Sequence, residues 1–430
     1  MSVLYKIGGW DAQFAASFAL ISYVLTILTL GLMNSGLHFL LVLLIMSFVL
    51  GASTHHFLIR PHLFSIFFTM LIAKFFLKIE IEEKPLSYLA LLFPICVVWA
   101  NIHGGVLSCY LSFLFLIFCW TAFSHLKMKS PLSGNSEKIK ILLIFLFCGL
   151  SCLVSPYALE LPKTWLNIMS NPAVGENIIE HFPATKLWWG WLTIISGILY
   201  ISALLGVPKN EMRGIYLLPI AWFLLAVTRI RHAPIFATYL AVILPHFLEK
   251  ISWATWLKKK GISSFSLSEV NEQYRIYWIF PFFFIAICFF IQFCDIRVPL
   301  IGKGWAFPSP LIWPTQIEKE LKSFGEAEKS EKGVPIFDEM VFGGYLINRA
   351  PVYKVFMDDR CELHGDSLDE FARARKDFGI IKKWDCTFNF RAALILPESS
   401  FDEYFTNSND WVLKAECTAA KFYIKKNKTE

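Results

Sequence analysis

Long apolar stretches joined by short polar links run through the first 294 residues of this chain. Helices of about 17–25 apolar residues are what a bilayer core accommodates. Ten stretches approach that length: Ala12–Leu32, Leu37–Ser53, Pro61–Leu77, Leu86–Ala100, Val106–Phe123, Ile141–Val154, Leu187–Leu205, Ile215–Thr228, Ala233–Leu248 and Ile276–Cys294. Several are short enough to be re-entrant or shielded by neighbours. Composition agrees, since 56% of the 430 residues are hydrophobic and only 17% charged, too few charges to cover a soluble protein of this size. The expectation is a membrane all-α bundle of about ten transmembrane helices. No cleavable signal peptide is expected, because MSVLYKIGGWDAQF lacks a basic region leading straight into an apolar core.

The links fall into two chemical sets. Those around Lys74–Lys84, Lys127–Lys140, Lys209–Arg213 and Lys250–Arg275 carry most of the loop lysine and occur on alternate turns. The excess of basic residues assigns them to the cytoplasm. The intervening links, Thr54–Arg60, Asn101–Gly105, Ser155–Lys186 and Arg229–His232, then face outside with the N-terminus and the region after Cys294. Net charge is only +6, and its basic residues are spread over short links, so no nucleic-acid partner is expected. Seven of ten cysteines lie in or beside apolar stretches as small hydrophobes. Cys361, Cys386 and Cys417 lie in the polar region, where one disulfide is an open alternative, but nothing there has metal-ligand spacing. No cofactor is expected, with a divalent metal left as an alternative.

After Cys294 a Pro-rich linker, 305–314, and a charged helix-like run from Thr315 to Lys332 lead into residues 333–430. Those read as a small C-terminal extracytoplasmic α/β domain. Val334–Asp338, Val352–Asp358, Ala392–Leu396 and Trp411–Lys425 have strand character. Ser367–Phe378 reads as a helix with Ser367 as N-cap and Glu370 three residues on. Gly343-Gly344 reads as a tight turn, with phosphate binding the weaker alternative.

Four constellations in the outer links carry the chemistry. Arg60 precedes Pro61 and His62 at a helix mouth, placed either to snorkel or to grip a phosphate by a bidentate fork. Asn101 and His103, ahead of Gly104-Gly105, sit at a depth where polar groups are costly unless paired or facing a wet cavity. Ser155–Lys186 suggests an interfacial helix, with Glu160, Glu176 and Glu180 as candidate carboxylates. Arg229, Arg231 and His232 run against the charge bias of an outer link and suit an anionic headgroup.

These motifs, with Phe337–Ile347 and Phe356–Gly365, occur in an order that resembles a poorly characterised bacterial branch of the GT-C class of membrane glycosyltransferases. The matching patterns are RP-x-LFS at Arg60–Ser65, N-x-HGG at Asn101–Gly105, a PYG-x-E-like Pro156–Glu160 and R-x-x-P at Arg231–Pro234. GGYLI at Gly343–Ile347 and F-x-D-x-R-x-x-L-x-G at Phe356–Gly365 complete the series. The resemblance implies transfer of a sugar from a polyprenyl-phosphate carrier to an acceptor on the outer face of the bacterial inner membrane. The lipid bilayer, the carrier-linked sugar and an acceptor of unknown identity are the implied partners. Arg60, Arg229 and Arg231 would hold the leaving phosphate, while His62, Asn101, His103 and His232 would bind substrate. Asp11 is the expected base, with Glu160 and Glu180 as substitutes. The departure from the class is at the start, where a first crossing and an acidic outer loop are expected. There Ile7-Gly8-Gly9-Trp10 already matches the entry to the second crossing of the class. The alternative expectation is a non-catalytic membrane protein that binds a lipid-linked envelope intermediate.

Overall fold

The computed structural model describes residues 2–35, 39–170, 178–248, 308–360 and 367–426, with isolated positions between. The expected crossing Ile276–Cys294 and the link before it fall almost wholly outside these, as do Asn171, Glu176, Cys288, Trp305–Phe307, Cys361–Leu363 and Gly365. Two compact units result: residues 1–166 with 179–306, and residues 167–178 with 307–430.

The first unit is helical throughout its described length. Its helices are α1 (Ser2–Asn34), α2 (Phe39–Ser53), α3 (Leu63–Glu80), α4 (Leu92–Ile102), α5 (Leu107–His125), α6 (Asn135–Gly149) and α7 (Glu160–Ser170). They continue with α8 (Gly190–Leu205), α9 (Leu218–Thr228) and α10 (Ala233–Ile243). Among the described residues three runs are long and apolar enough to cross a membrane: Val3–Asn34, Phe39–His56 and Gly104–His125. Leu86–Ile102, Gly190–Leu205, Gly214–Thr228 and Ile230–Ile243 are shorter apolar runs.

Burial sorts these helices. In α10 nearly every side chain from Ala233 to Ile243 is buried, as expected of a helix that is apolar on all sides and sits centrally. Outer helices leave apolar stripes uncovered: Phe39, Leu40, Leu43 and Leu44 on α2, Leu142, Leu143 and Leu146 on α6, Trp191, Ile195, Ile198 and Leu199 on α8. Stripes this continuous require an apolar surrounding, so the unit associates with a membrane. Inside, some polar groups are fully paired. Ser112 Oγ accepts from Trp222 Nε1 (2.9 Å) and Tyr239 Oη (2.8 Å) while donating to Ser108 O (2.7 Å). In α1 the helix breaks at Gly8-Gly9, where Gly9 adopts φ 60°, a conformation that favours glycine.

The second unit is an α/β structure. Its five-stranded sheet has the order β2-β1-β3-β5-β4, from β1 (Val334–Asp338), β2 (Tyr353–Val355), β3 (Ala392–Ile395), β4 (Trp411–Glu416) and β5 (Lys421–Lys425). The first three are mutually parallel and β5 turns antiparallel to β3 and β4. On one face Val334, Ile336 and Leu394 meet α11 (Glu318–Ala327) and α12 (Met340–Arg349). On the other, Phe337, Ala393 and Ile395 meet α13 (Ser367–Ala374), α14 (Phe378–Phe388) and α15 (Ser400–Asn407). Burial on both faces explains why β1 and β3 read as unbroken apolar runs.

Several sequence expectations need correction here. The charged run Thr315–Lys332 holds the helix Glu318–Ala327, but it does not precede the domain: Ile317 and Leu321 are core residues of the second unit. The stretch Trp411–Lys425 is a hairpin of two strands, and α15, capped by Ser399 accepting from Asp402 N, was not anticipated. Ser367 is the first residue of its helix and not its cap. Gly343-Gly344 makes neither a turn nor a helix start but lies inside α12, because a Cβ at Gly343 would come 2.4 Å from the Met357 carbonyl oxygen. Cys386 and Cys417 are free thiols.

Candidate functional site

Four turns of the first unit meet. Arg60 Nη1 pairs with Glu180 Oε1 at 2.7 Å, His55 Nε2 lies 3.4 Å from Ile230 O, and Ile230 N donates to Phe182 O at 2.9 Å. The rings of His56 and His62 are 5.2 Å apart, those of His62 and His103 6.3 Å. The links carrying histidine and arginine therefore share one end of the bundle. The lysine-bearing links share the other. There Glu80, at the far end of α3, accepts from Trp120 Nε1 (2.6 Å), Ile215 N (2.9 Å) and Gly214 N. Glu211 pairs with Lys129 (3.4 Å) and Lys250 (3.3 Å). The two ends are separated by the 18 residues of α3, about 27 Å at the rise of an α-helix.

His181 is the residue around which the first end is built. Arg229 Nη1 lies 3.0 Å from its Nδ1, and Arg231 Nη1 contacts its Nε2. A guanidinium only donates, and a neutral imidazole has one accepting nitrogen, so the ring accepts from one arginine at a time. Burial and the charges of Arg231 and Arg229 push His181 down to about 3, which keeps it neutral. Among the described residues the same turns contribute three arginines, Arg60, Arg229 and Arg231, and one carboxylate, Glu180. An excess of fixed positive charge at a helix mouth is suited to an anion.

The histidines beside it are fixed by their hydrogen bonds. Gly105 N donates to His103 Nδ1 at 3.1 Å, and Ser65 Oγ, which accepts from Trp99 Nε1 at 3.0 Å, donates to the same nitrogen at 2.8 Å. His103 therefore carries its proton on Nε2. Burial, with the charges of His62 and Arg231, pushes it down to about 3. Gly105 has to be glycine, since a Cβ there would fall 2.1 Å from Ser65 Oγ. His62 Nε2 donates to the His56 carbonyl. Three further imidazole nitrogens are buried without a hydrogen-bond partner among the described residues: His55 Nδ1, His56 Nε2 and His232 Nε2. Each such group costs about 1–3 kcal/mol, and a fold that tolerates three together retains them for more than stability.

The remaining expected site residues are engaged in other contacts or exposed. Asn101 spends its amide on Val97 O (2.8 Å) and Val154 O (3.4 Å), tying the end of α4 to the turn after α6. Glu160 is exposed and pairs with Lys163 at 2.7 Å. Asp11 is exposed beside the break in α1. His55-His56 and Glu180-His181 stand out in the sequence as polar groups of the outer links, and Ser65 ends the RP-x-LFS pattern, but His55, His56, His181 and Ser65 carried no expected role; Trp99 gave no sequence signal.

The second unit has a polar group of its own at the carboxyl end of its parallel strands. Asp338 is fully buried, and Oδ1 accepts from Phe356 N (2.8 Å) and Met357 N (3.4 Å). Burial raises its carboxyl well above the ordinary range. Asp358 goes the other way: burial opposes its charge, but bonds from Arg360 and His364 hold it at about 2. Glu339 accepts from Leu396 N (3.1 Å) and Ser399 Oγ (2.7 Å), locking α12 to the end of β3.

No protein-family model and no curated protein matches this chain. Among the described residues no group of three or more histidine, cysteine or acidic side chains is arranged to hold a metal ion.

Proposed function

We propose that this chain is a multi-pass protein of about ten crossings that binds the phosphate head of a polyprenyl-phosphate-linked sugar and transfers the sugar to an acceptor. Its place is the bacterial inner membrane, with the histidine–arginine end and the C-terminal domain facing outward, as in the GT-C class that its motifs resemble. The observation that carries this reading is the Arg229–His181–Arg231 arrangement beside Arg60. Departure of a sugar from a lipid phosphate develops negative charge on the phosphate oxygen, and donors already in place stabilise it without reorganisation. The lipid-facing stripes bring a carrier of this kind to the same rim by diffusion in the membrane plane.

Transfer from a radiolabelled polyprenyl-phosphate sugar, assayed in membranes containing the protein, tests the reading. Arg229→Ala with Arg231→Ala is expected to cut transfer by at least 10²-fold, in line with loss of an oxyanion-type donor. Undiminished transfer would remove the phosphate site. Carrier binding that depends on both arginines, without transfer by the unaltered protein, would instead favour the alternative of a non-catalytic carrier-binding protein. That reading draws on Glu180 being engaged by Arg60 and Glu160 by Lys163.

A further inference from the structure

A sugar transfer needs a base for the acceptor hydroxyl, and of the carboxylates expected to act, Glu160 is exposed and paired with Lys163, and Asp11 is exposed beside the break in α1. Glu180 is close, but its Oε1 is committed to Arg60 at 2.7 Å. One neighbouring group is differently placed. His62 caps α3 directly after Pro61, whose ring fixes the backbone at this point. Its Nε2 faces the His56 carbonyl oxygen, an acceptor only, so Nε2 must hold the ring proton. Nδ1 is then the nitrogen with the lone pair. Among the described residues no hydrogen bond engages it. A backbone carbonyl that pins one nitrogen and leaves the other free to accept is how an imidazole is oriented for proton abstraction.

Its surroundings fit the task. His62 is half-buried between the Arg60–Glu180 pair and His103, whose proton sits on Nε2. One ring is thus an acceptor and its neighbour a donor, 6.3 Å apart between centroids, which leaves room for a hydroxyl between them. The charged and titratable groups that face His62 are Arg60 on its own turn, Glu180, Arg231, His55, His56 and His103. None donates to Nδ1.

We infer that His62 is the general base of the transfer, taking the acceptor proton on Nδ1. This rests on the transferase reading above. The oxygen lone pair released at the acceptor forms the new bond to the anomeric carbon. The bond from that carbon to the phosphate oxygen breaks with its electron pair, which stays on the lipid phosphate between the arginines. The proton on His62 then passes to solvent, and the ring returns to its starting tautomer. His103 is a positioning residue, its Nε2–H directed at the acceptor or the sugar.

The test compares the full chain in membranes with His62→Gln and His62→Ala. Each is assayed with the same labelled polyprenyl-phosphate sugar for donor binding and for transfer between pH 5 and 8. Glutamine retains a donor for the His56 carbonyl but has no base. Transfer by His62→Gln is expected to fall roughly 10²–10⁴-fold, the usual share of general-base catalysis, while donor binding is kept. Added imidazole is expected to restore part of the transfer in His62→Ala. Any fall of kcat/KM towards acid pH in the unaltered protein is expected to vanish in His62→Gln. Transfer by His62→Gln within tenfold of the unaltered protein would overturn the assignment and leave the phosphate site standing. Absence of transfer by the unaltered protein with any carrier-linked sugar would remove both.

Discussion

Asp338 shows how far a single buried group can depart from its ordinary chemistry. Its carboxyl is raised by burial, and the charges of Asp358 and Glu339 push the same way. Above the usual carboxylate range the unfolded chain has released this proton and the folded chain has not, so the folded state binds more protons and stability falls as pH rises. The contribution of Asp338 is complete below about 3.8 and is lost as pH climbs through the raised value. Asp338→Asn keeps an oxygen for Phe356 N and Met357 N and cannot ionise. Hydrogen exchange at those two amides is expected to be slower in the variant than in the unaltered protein at pH 7.5, with the difference closing towards pH 4. Asp338→Leu should do the reverse, since two buried N–H groups lose their acceptor at about 1–3 kcal/mol each. Faster exchange in the Asn variant at pH 7.5 would mean that the carboxylate is charged and needed there.

At the scale of elements, Glu80 closes the end of the bundle away from the histidines. Its two oxygens take three donors from α5 and from the turn that starts α9, so one carboxylate ties three elements. Glutamine offers one accepting oxygen in place of two. Glu80→Gln is therefore expected to strand at least one buried donor and set an NH₂ group against it, at about 1–3 kcal/mol. A lower midpoint of thermal unfolding in detergent, read by tryptophan fluorescence, would register this. A midpoint equal to the parent's would show that the three donors find other partners. Nothing in the sequence pointed to this role, because Glu80 stands among Lys78, Glu82, Glu83 and Lys84 and reads there as part of a solvated link. Helix positions and strand starts were legible, since apolar length and short apolar runs report burial directly. Partners were not. Glu80 with Gly214, Arg60 with Glu180 and His181 with Arg231 are separated by 134, 120 and 50 residues, and only packing decides such meetings. The glycines at 105 and 343 were noticed as turn formers, whereas both serve to let a neighbour approach where a Cβ would not fit.

For the whole molecule, the separation of two chemistries to two ends is what makes a membrane orientation testable. The links richest in lysine converge around Glu80 and Glu211, and the links with histidine and arginine converge around His181. About 27 Å of α3 between them is close to the thickness of a bilayer's hydrocarbon core, and apolar side chains are exposed along the outer helices. Arg229 and Arg231 sit at the end with fewer lysines, and the bias of basic residues towards the cytoplasm predicts that the lysine end is inside. Glu180→Cys and Lys129→Cys, each introduced without other exposed thiols, can be probed in intact cells with a membrane-impermeant maleimide. Glu180→Cys is expected to react at once, and Lys129→Cys only after the cells are permeabilised. Reaction of both from the same side would break the link between the two ends of the bundle and the two faces of a membrane. Reaction of Lys129→Cys alone would invert the orientation, and with it the claim that an outward-facing rim receives the lipid phosphate.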